Sequence, residues 1–449
     1  MIGLLPDNLR NALKKFRTDS DYNELIRTSF FALLVRITGV ITGFLVTLIT
    51  TRYYGADALG IVCICLAILS FSSVFGKLGF DIALMKYIAG FATNKNYSGI
   101  KGVYLEAVKI ILPTTILISS ILYFLAPWMA NNLFHKPYLK DLLQINSWLA
   151  LPLVFLLLNS ECIRGLKRIR TYTFLQTVSV SLFAAILLII ASFFIKGNEI
   201  PAMIQFICIT LSGILSTALW LKYSKYRQNK SSLVVSSKDL IRTSSSMFTT
   251  TLMQLTMSWA GTLILARYLN ETDVGIYNAL VRISVVTNIT ILAINSLAMP
   301  RFAESYASKS FDTLKKHAEE SSRLIFLTSL PVFILLALFP QWILSIFGKE
   351  FPGNENALYI LLAGQLIVSF SGLPSQILNM ADRQHVLRNI AIISAIINVL
   401  SCFILIPQFG IMGACYAQLA GIFTWNLLST WSVKRHFGFF VFFKLKNKG

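Results

Sequence analysis

The chain contains twelve apolar runs, each long enough to cross a lipid bilayer as a helix. One crossing needs about 20 apolar residues, because a helix rises about 1.5 Å per residue through a hydrocarbon core of about 30 Å. Of the 449 residues, 55% are hydrophobic and 13% are charged, which predicts an all-α integral membrane protein. The runs lie near 29–51, 57–76, 103–127, 141–163, 171–195, 199–221, 243–266, 272–297, 324–347, 355–378, 386–406 and 410–433.

A motif at the end of the first run returns at the end of the seventh. Arg52-Tyr53 becomes Arg267-Tyr268, an offset of 215 residues. Each copy then holds six helices, an even number, so both copies enter the membrane in the same orientation. This is a parallel repeat, whose axis lies along the membrane normal. The same offset pairs Ala83 with Ala298, Lys86 with Arg301, Pro137 with Pro352, Phe155 with Phe370, Ser160 with Ser375 and Arg168 with Arg383.

The repeated motif reads as a tight turn between two helices. Gly55 and Asn270 occupy the same position, and both residue types tolerate the positive φ that such a turn demands. Asp57 and Thr272 follow two residues later, and both are good N-caps. We therefore expect a helix end, a turn and a capped helix start in each copy.

The charges predict the topology. The formal net charge is +20, but most of the 40 basic residues fall in the segments that face the cytoplasm if the N-terminus is inside. This positive-inside bias places both termini in the cytoplasm and favours anionic lipid headgroups, not nucleic acid, as the partner of the basic surface. The predicted organisation is an amphipathic N-terminus 1–28, an N-lobe 29–221, a linker 222–242, a C-lobe 243–433 and a basic tail 434–449.

The cysteines and histidines predict neither a metal site nor a cofactor. The six cysteines lie in or beside apolar runs without a Cys-x-x-Cys pair, and the four histidines are scattered. Buried small apolar residues are the simpler interpretation of such cysteines. No catalytic residue is predicted, and the chain is not expected to be an enzyme.

Arg36 and Arg282 lie inside predicted spans. Arg282 is about 15 Å deep in the eighth span, near the bilayer middle, where an arginine is costly unless it faces water or a carboxylate. Arg36 lies closer to the cytoplasmic side, where its side chain could also extend to the interface. The acidic residues in or near the membrane lie at its cytoplasmic edge with basic neighbours and predict local ion pairs; they are Asp81, Glu106, Glu161 and Asp382. A cavity around the two arginines is therefore expected to be cationic.

A stripe of small and polar residues follows one face of the first helix. Arg36, Gly39, Gly43 and Thr47 are spaced by three and four, and the repeat places Thr251, Gln254, Ser258 and Thr262 on the seventh helix. Such stripes either pack tightly against neighbouring helices or line a cleft between the two lobes. The cleft interpretation predicts substrate contacts at Arg36, Gly43, Gln254, Ser258 and Arg282.

Two segments resemble the polysaccharide-exporter branch of the MOP superfamily. Segment 51–90 has the arginine-aromatic-glycine turn, a Gly-Phe elbow and a following basic residue, and 161–176 resembles the loop between helices four and five. The resemblance implies a MATE-like, V-shaped transporter of twelve helices. It further implies a Wzx-type flippase. The matching residues are Arg52, Tyr53, Gly55, Gly60, Gly79, Phe80, Lys86, Arg164 and Gly165.

A Wzx-type flippase moves undecaprenyl-pyrophosphate-linked oligosaccharide repeat units from the cytoplasmic to the outer leaflet of a bacterial plasma membrane by alternating access. The resemblance therefore implies a lipid-linked oligosaccharide such as an O-antigen unit as the substrate, membrane lipids around the protein, and polysaccharide polymerases as candidate partners.

Two alternatives stay open at this stage. A MATE-like, cation-coupled exporter of small molecules shares the helix count, but such exporters of cations usually need carboxylates at the middle of the membrane. A membrane polysaccharide polymerase or ligase needs a sizeable external loop. The longest external connection, about 128–140, offers only His135, Lys136 and Lys140.

Overall fold

The computed structural model describes residues 20–225, 237–381 and 383–442. Every regular element among them is helical, which confirms the predicted all-α class. Most of the predicted amphipathic N-terminus 1–28, the middle of the linker 222–242 and the end of the tail 434–449 lie outside the described residues. The account below therefore concerns the two helical halves.

Among its described residues, the first half contains eight α-helices. Two short π-helical turns, Met129–Leu133 and Phe174–Val178, interrupt the regular α-helical hydrogen bonding before α4 and α7. The helices are α1 (Ser20–Lys77), α2 (Phe80–Thr93), α3 (Tyr97–Trp128), α4 (Leu139–Trp148), α5 (Ala150–Gly165), α6 (Ile169–Thr173), α7 (Ser179–Phe194) and α8 (Ile200–Tyr223).

In the part of the second half that the structure describes there are nine α-helices. A 3-10 turn at Val286–Asn288 separates the second helix of this half from the third. The helices are α9 (Ser237–Tyr268), α10 (Glu271–Val285), α11 (Ile289–Ala307), α12 (Phe311–Leu338), α13 (Pro340–Phe347), α14 (Glu355–Ser371), α15 (Pro374–Met380), α16 (Gln384–Phe409) and α17 (Ile411–Phe437).

The helices account for the twelve predicted crossings. Among the described residues, nine helical stretches are long and apolar enough to cross a membrane, and α14 with α15 forms a tenth, bent by 48°. The first of these stretches is α1, whose two arms on either side of Gly55 are each long enough to cross. Helix α9, with 32 residues, supplies the remaining crossing although its composition is more polar.

The two predicted turns have different backbone conformations. Gly55 has φ 93° and divides α1, as predicted. Asn270 was expected to have a positive φ as well, and that prediction is wrong, because its φ is −77°. Asn270 is itself the N-cap of α10, and its side-chain oxygen accepts from the Asp273 amide at 2.9 Å, a role the sequence had suggested for Thr272. We call the end of the molecule that carries both breaks the turn end.

The starts of corresponding helices preserve the repeat. Helices α3 and α12 begin at Tyr97 and Phe311, and α6 and α16 begin at Ile169 and Gln384, close to the offset read from the sequence. The last pair, α8 and α17, begins four residues out of register. The two halves are therefore built on one plan up to the helix that follows the second π turn.

The two halves cross at a reciprocal glycine contact near the turn end. A Cβ at Gly60 would overlap the Glu271 carbonyl oxygen, and a Cβ at Gly275 would overlap the Ala56 carbonyl oxygen. The repeat relates Gly60 to Gly275, and it relates Ala56 to Glu271. A contact that maps onto itself under the repeat must lie on the two-fold axis relating the halves. Glycine is needed at both positions because the two backbones touch there.

Candidate functional site

A cavity of about 530 Å³ lies between the two halves, away from the turn end. The first arm of α1 and the π turn 174–178 form one wall, and α10, the 3-10 turn and α11 form the other. The polar side chains in the lining are Arg36, Gln176, Thr177, Arg282 and Asn288. The other lining residues are non-polar.

Arg282 reaches into this cavity from α10 and crosses to the opposite wall. Its side chain is exposed to the cavity. A Cβ at Gly43, on the first arm of α1, would overlap the Arg282 guanidinium. Gly43 thus leaves the space that the guanidinium occupies, and the structure brings these two predicted site residues together.

Arg36 lines the same cavity from the first arm of α1. It lies seven residues before Gly43, about 10 Å along the helix axis, and its side chain is partly exposed. Among the described residues, neither Arg36 nor Arg282 forms a hydrogen bond or an ion pair. Two guanidinium groups therefore face one cavity from opposite halves.

The acidic residues near the cavity are already paired. Glu161 accepts a hydrogen bond from Gln176 at 3.2 Å and one from Arg164 at 3.3 Å. Elsewhere, on α3, the predicted pair of Lys109 with Glu106 is also formed, at 2.6 Å. Among the described residues, the lining of the cavity contains no carboxylate. The cavity is therefore cationic, as the sequence indicates.

Three polar lining residues were not predicted from the sequence. Gln176 and Thr177 belong to the π turn, and Asn288 ends the 3-10 turn. The Asn288 side-chain oxygen is buried without a hydrogen-bond partner in the described structure. Breaks in α-helical geometry often occur at functional sites, but apolar periodicity does not reveal them.

Two predicted site residues lie outside this cavity. Gln254 and Ser258 are exposed on α9, where the Ser258 hydroxyl donates to the Gln254 carbonyl at 3.0 Å. The cavity lining contains neither. The stripe on the first arm serves both uses that the sequence left open, since Gly39 packs against the Thr177 carbonyl while Gly43 admits Arg282.

Side chains join the two halves at the turn end. Lys136 donates to the Leu269 carbonyl at 2.9 Å and pairs with Glu271 at 3.0 Å. The Tyr138 hydroxyl also donates to Glu271, and burial together with this carboxylate raises the pKa of Tyr138. On the other side of the axis, the Ala56 amide donates to Glu350 at 3.0 Å. The turn end is closed in this conformation.

The amino-acid sequence matches the model of a known protein family. A family model described as polysaccharide biosynthesis protein matches residues 25–306, more than half of the chain. The chain belongs to this family. A second model, MatE, matches residues 246–404. The two models confirm the resemblance to polysaccharide exporters of the MOP superfamily.

A curated relative and two solved structures agree with this membership. The probable low-salt glycan biosynthesis flippase Agl15 of Haloferax volcanii is 22% identical over 409 residues, covering 88% of this chain and 80% of that protein. An inward-facing MATE multidrug resistance transporter superposes with a TM-score of 0.73 at 13% identity, covering 91% and 98% of the two chains. The lipid II flippase MurJ superposes with a TM-score of 0.71 at 15% identity, covering 91% and 87%.

Together these findings establish the general class of the protein. It is a multi-pass membrane protein with the twelve-helix fold of MOP transporters, and the proteins compared above are a probable flippase, a multidrug transporter and a lipid II flippase. The nature of the cargo must be inferred from the cavity's chemistry.

Proposed function

We propose that this member of the polysaccharide biosynthesis protein family is a flippase for undecaprenyl-pyrophosphate-linked oligosaccharide repeat units such as those of O-antigen. The observation that carries the proposal is the pair Arg36 and Arg282, which face one cavity between the halves without an acidic partner among the described residues. A diphosphate supplies the missing anion. Guanidinium groups bind such oxygens with two parallel hydrogen bonds, so arginine suits this role better than lysine.

The mixed lining supports an amphiphilic cargo. Besides the two arginines, the cavity presents non-polar side chains such as Phe44, Val285 and Leu292. A lipid-linked diphosphate has its charge next to a hydrocarbon chain, so it satisfies both parts of this lining. In this proposal Gly43 sets the position of Arg282. Gln254 and Ser258 on α9 offer the exposed amide and hydroxyl groups that hydrogen-bond sugars.

The orientation completes the mechanism. In the proposal the turn end faces outward, both termini are cytoplasmic, and the membrane is the bacterial plasma membrane, with polysaccharide polymerases receiving the cargo. In this conformation the turn end is closed and the cationic cavity admits the headgroup. The conformation described here is therefore the one that loads the cargo. Transport then requires the contacts at the turn end to separate and the cavity side to close, which is alternating access of two related halves.

The test uses a deletion strain, made by removing this gene from a bacterium that naturally carries it. We expect single lipid-linked repeat units to accumulate on the cytoplasmic side, where an external glycosidase cannot reach them in intact cells. Flipped but unpolymerised units on the outer side would contradict the flippase and favour a polymerase or ligase. Normal surface polymer in the deletion strain, without a second flippase gene, would also contradict it.

The second candidate is a cation-coupled exporter of small molecules. The match of the MatE model to residues 246–404 favours it. This candidate predicts that the deletion strain becomes sensitive to cationic dyes while its lipid-linked glycans stay normal. The cationic lining of the cavity argues against it, because Arg36 and Arg282 repel a cationic drug.

A further inference from the structure

A second cavity, of about 590 Å³, lies in the seam between the halves and differs in chemistry from the cationic one. The second arm of α1, α3, α9 and α16 form its walls. Every lining residue except Ser72 and Arg267 is non-polar. The Ser72 hydroxyl is already bound to the Ile68 carbonyl at 2.7 Å. This lining suits a hydrocarbon and offers nothing to a sugar.

The lining of the cavity shows how far it extends along the helices. Its lining follows the end of α3, the π turn after it and the next residue, from Ile118 to Phe134, up to about 24 Å at 1.5 Å per residue. One leaflet contributes about half of the 30 Å hydrocarbon core. The cavity is therefore long enough to hold one extended acyl chain, which spans about one leaflet.

Arg267 lies at the turn end of this cavity and gives it a charged mouth. One of its terminal nitrogens donates to the Leu133 carbonyl at 3.1 Å and to the Asn132 carbonyl at 3.4 Å. The guanidinium has five N–H donors, and the side chain is exposed, so donors remain for an outside acceptor. A guanidinium with free donors binds a phosphate group through charge-assisted hydrogen bonds.

We propose that this cavity binds one acyl chain of a phospholipid whose phosphate lies against Arg267. Ile121 and Phe403 contact the chain from opposite halves. The lipid therefore bridges the two halves in the conformation with the closed turn end and stabilises that conformation by mass action. The proposal requires only that the protein lies in a bilayer; it holds whatever cargo the cationic cavity carries.

The first experiment compares two arginines that the repeat makes equivalent. Purified full-length protein is titrated with palmitoyl-oleoyl phosphatidylglycerol in detergent, and bound lipid is counted by native mass spectrometry. We expect Arg267→Ala to lower the affinity of one site about tenfold, because it removes a charge-assisted hydrogen bond. The control is Arg52→Ala, at the repeat mate, which does not line this cavity. Equal affinity in both variants would overturn the role of Arg267.

The second experiment fills the cavity. Ile121→Trp places an indole in it, whereas Leu117→Trp makes the same change at an exposed position of α3 outside the lining. Phosphatidylglycerol with a photoreactive acyl chain should label α3 and α9 in the wild type and in Leu117→Trp, and much less in Ile121→Trp. If Ile121→Trp fails to fold, the wild-type labelling decides alone: labelling spread evenly over the lipid-facing helices would overturn the proposal.

Competing lipids identify the occupant. Diolein, which has the chains but no phosphate, should compete at least tenfold more weakly than phosphatidylglycerol, and equal competition would remove the phosphate from the proposal. Undecaprenyl phosphate should compete no better than phosphatidylglycerol. Clear preference for undecaprenyl phosphate would overturn the assignment to a bilayer phospholipid and would indicate that the cavity binds the transported lipid.

Discussion

The closed turn end and the cationic cavity use their charges in opposite ways. At the turn end, Lys136 bonds to Glu271 and to the Leu269 carbonyl, both from the other half. In the cavity, Arg36 and Arg282 have no hydrogen bond or ion pair among the described residues. Leaving a guanidinium unpaired within a membrane is costly. The comparison teaches that charge at the turn end joins the halves, while charge in the cavity is left free for the anionic ligand that we propose.

The glycines differ between the same two regions. Gly60 and Gly275 are small so that two backbones can touch on the symmetry axis, whereas Gly43 is small so that the Arg282 side chain can cross the cavity. Only the first contact obeys the repeat. The repeat mate of Gly43 is Ser258, which is exposed on α9. Symmetry therefore governs the closing contact, and asymmetry governs the cavity.

The largest effect is expected from reversing the cavity's charge. Arg282→Glu should reduce transport about 100-fold or more, because it removes a charge-assisted bond to the cargo and adds repulsion. Arg282→Lys should retain partial transport. The measurement is restored polymer display in a deletion strain, with membrane abundance determined alongside. Lys316→Glu, an exposed charge reversal on α12, is the control and should transport normally. Loss of the Arg282→Glu protein from the membrane would indicate a structural role instead.

A smaller effect is expected from separating the backbones at the turn end. Gly275→Val overlaps the Ala56 carbonyl, so overpacking should cost the closed conformation about 1–3 kcal/mol. The population should shift toward an open turn end by about tenfold or more. Labelling of a cysteine at Asn270 measures this in intact cells. Gly353→Val is the control, since a Cβ at Gly353 meets nothing within 4 Å, although its positive φ adds local strain. Unchanged labelling in Gly275→Val would refute the assigned closing contact.

A weaker shift toward the open turn end is expected from breaking the ion pair of Lys136 with Glu271. Lys136→Met keeps the aliphatic stem but leaves Glu271 without its cation, and both side chains are largely buried. The expected cost to the closed conformation is about 1–2 kcal/mol, between that of an exposed and a fully buried pair. The same cysteine assay applies, with Lys140→Met in the same connection as the control. Equal labelling in the two variants would show that the pair does not hold the halves together.

The smallest effect is expected at Arg52. Its only hydrogen bond among the described residues is to the Ser345 carbonyl, at the long distance of 3.5 Å, and the side chain is exposed. Arg52→Ala should change thermal stability by no more than about 0.5 kcal/mol. A larger loss in a thermal unfolding experiment would mean that the turn end depends on Arg52 as it does on Lys136.

Local features of the structure could be predicted from the sequence. The positive φ of Gly55 follows from the residue type, and the pairs Lys109 with Glu106 and Arg164 with Glu161 join residues three positions apart. Asn270 shows the limit, because its side chain bonds to the Asp273 amide and makes an extended backbone the better choice. The residue type alone does not decide between a positive φ and an extended backbone at such a position.

Contacts between the halves could not be predicted in the same way. The repeat made Gly60 and Gly275 equivalent, but equivalence does not say that the axis passes between them. Gln176 and Asn288 enter the cavity through π and 3-10 turns, which change the direction of a side chain without changing hydropathy. Gln254 was expected to line the cleft because it is the repeat mate of Gly39, yet only Gly39 lines the cavity, since the two positions lie on different helices.

The most direct test of the central claim measures binding at the cationic cavity. Purified protein is titrated with a short-chain polyprenyl-diphosphate glycan by isothermal calorimetry at low and high salt. We expect Arg282→Ala and Arg36→Ala each to weaken binding about tenfold to 100-fold, with a smaller salt dependence than the wild type. Arg52→Ala should bind as the wild type does. Unchanged affinity in a folded Arg282→Ala variant would contradict the claim that this cavity binds an anionic lipid headgroup.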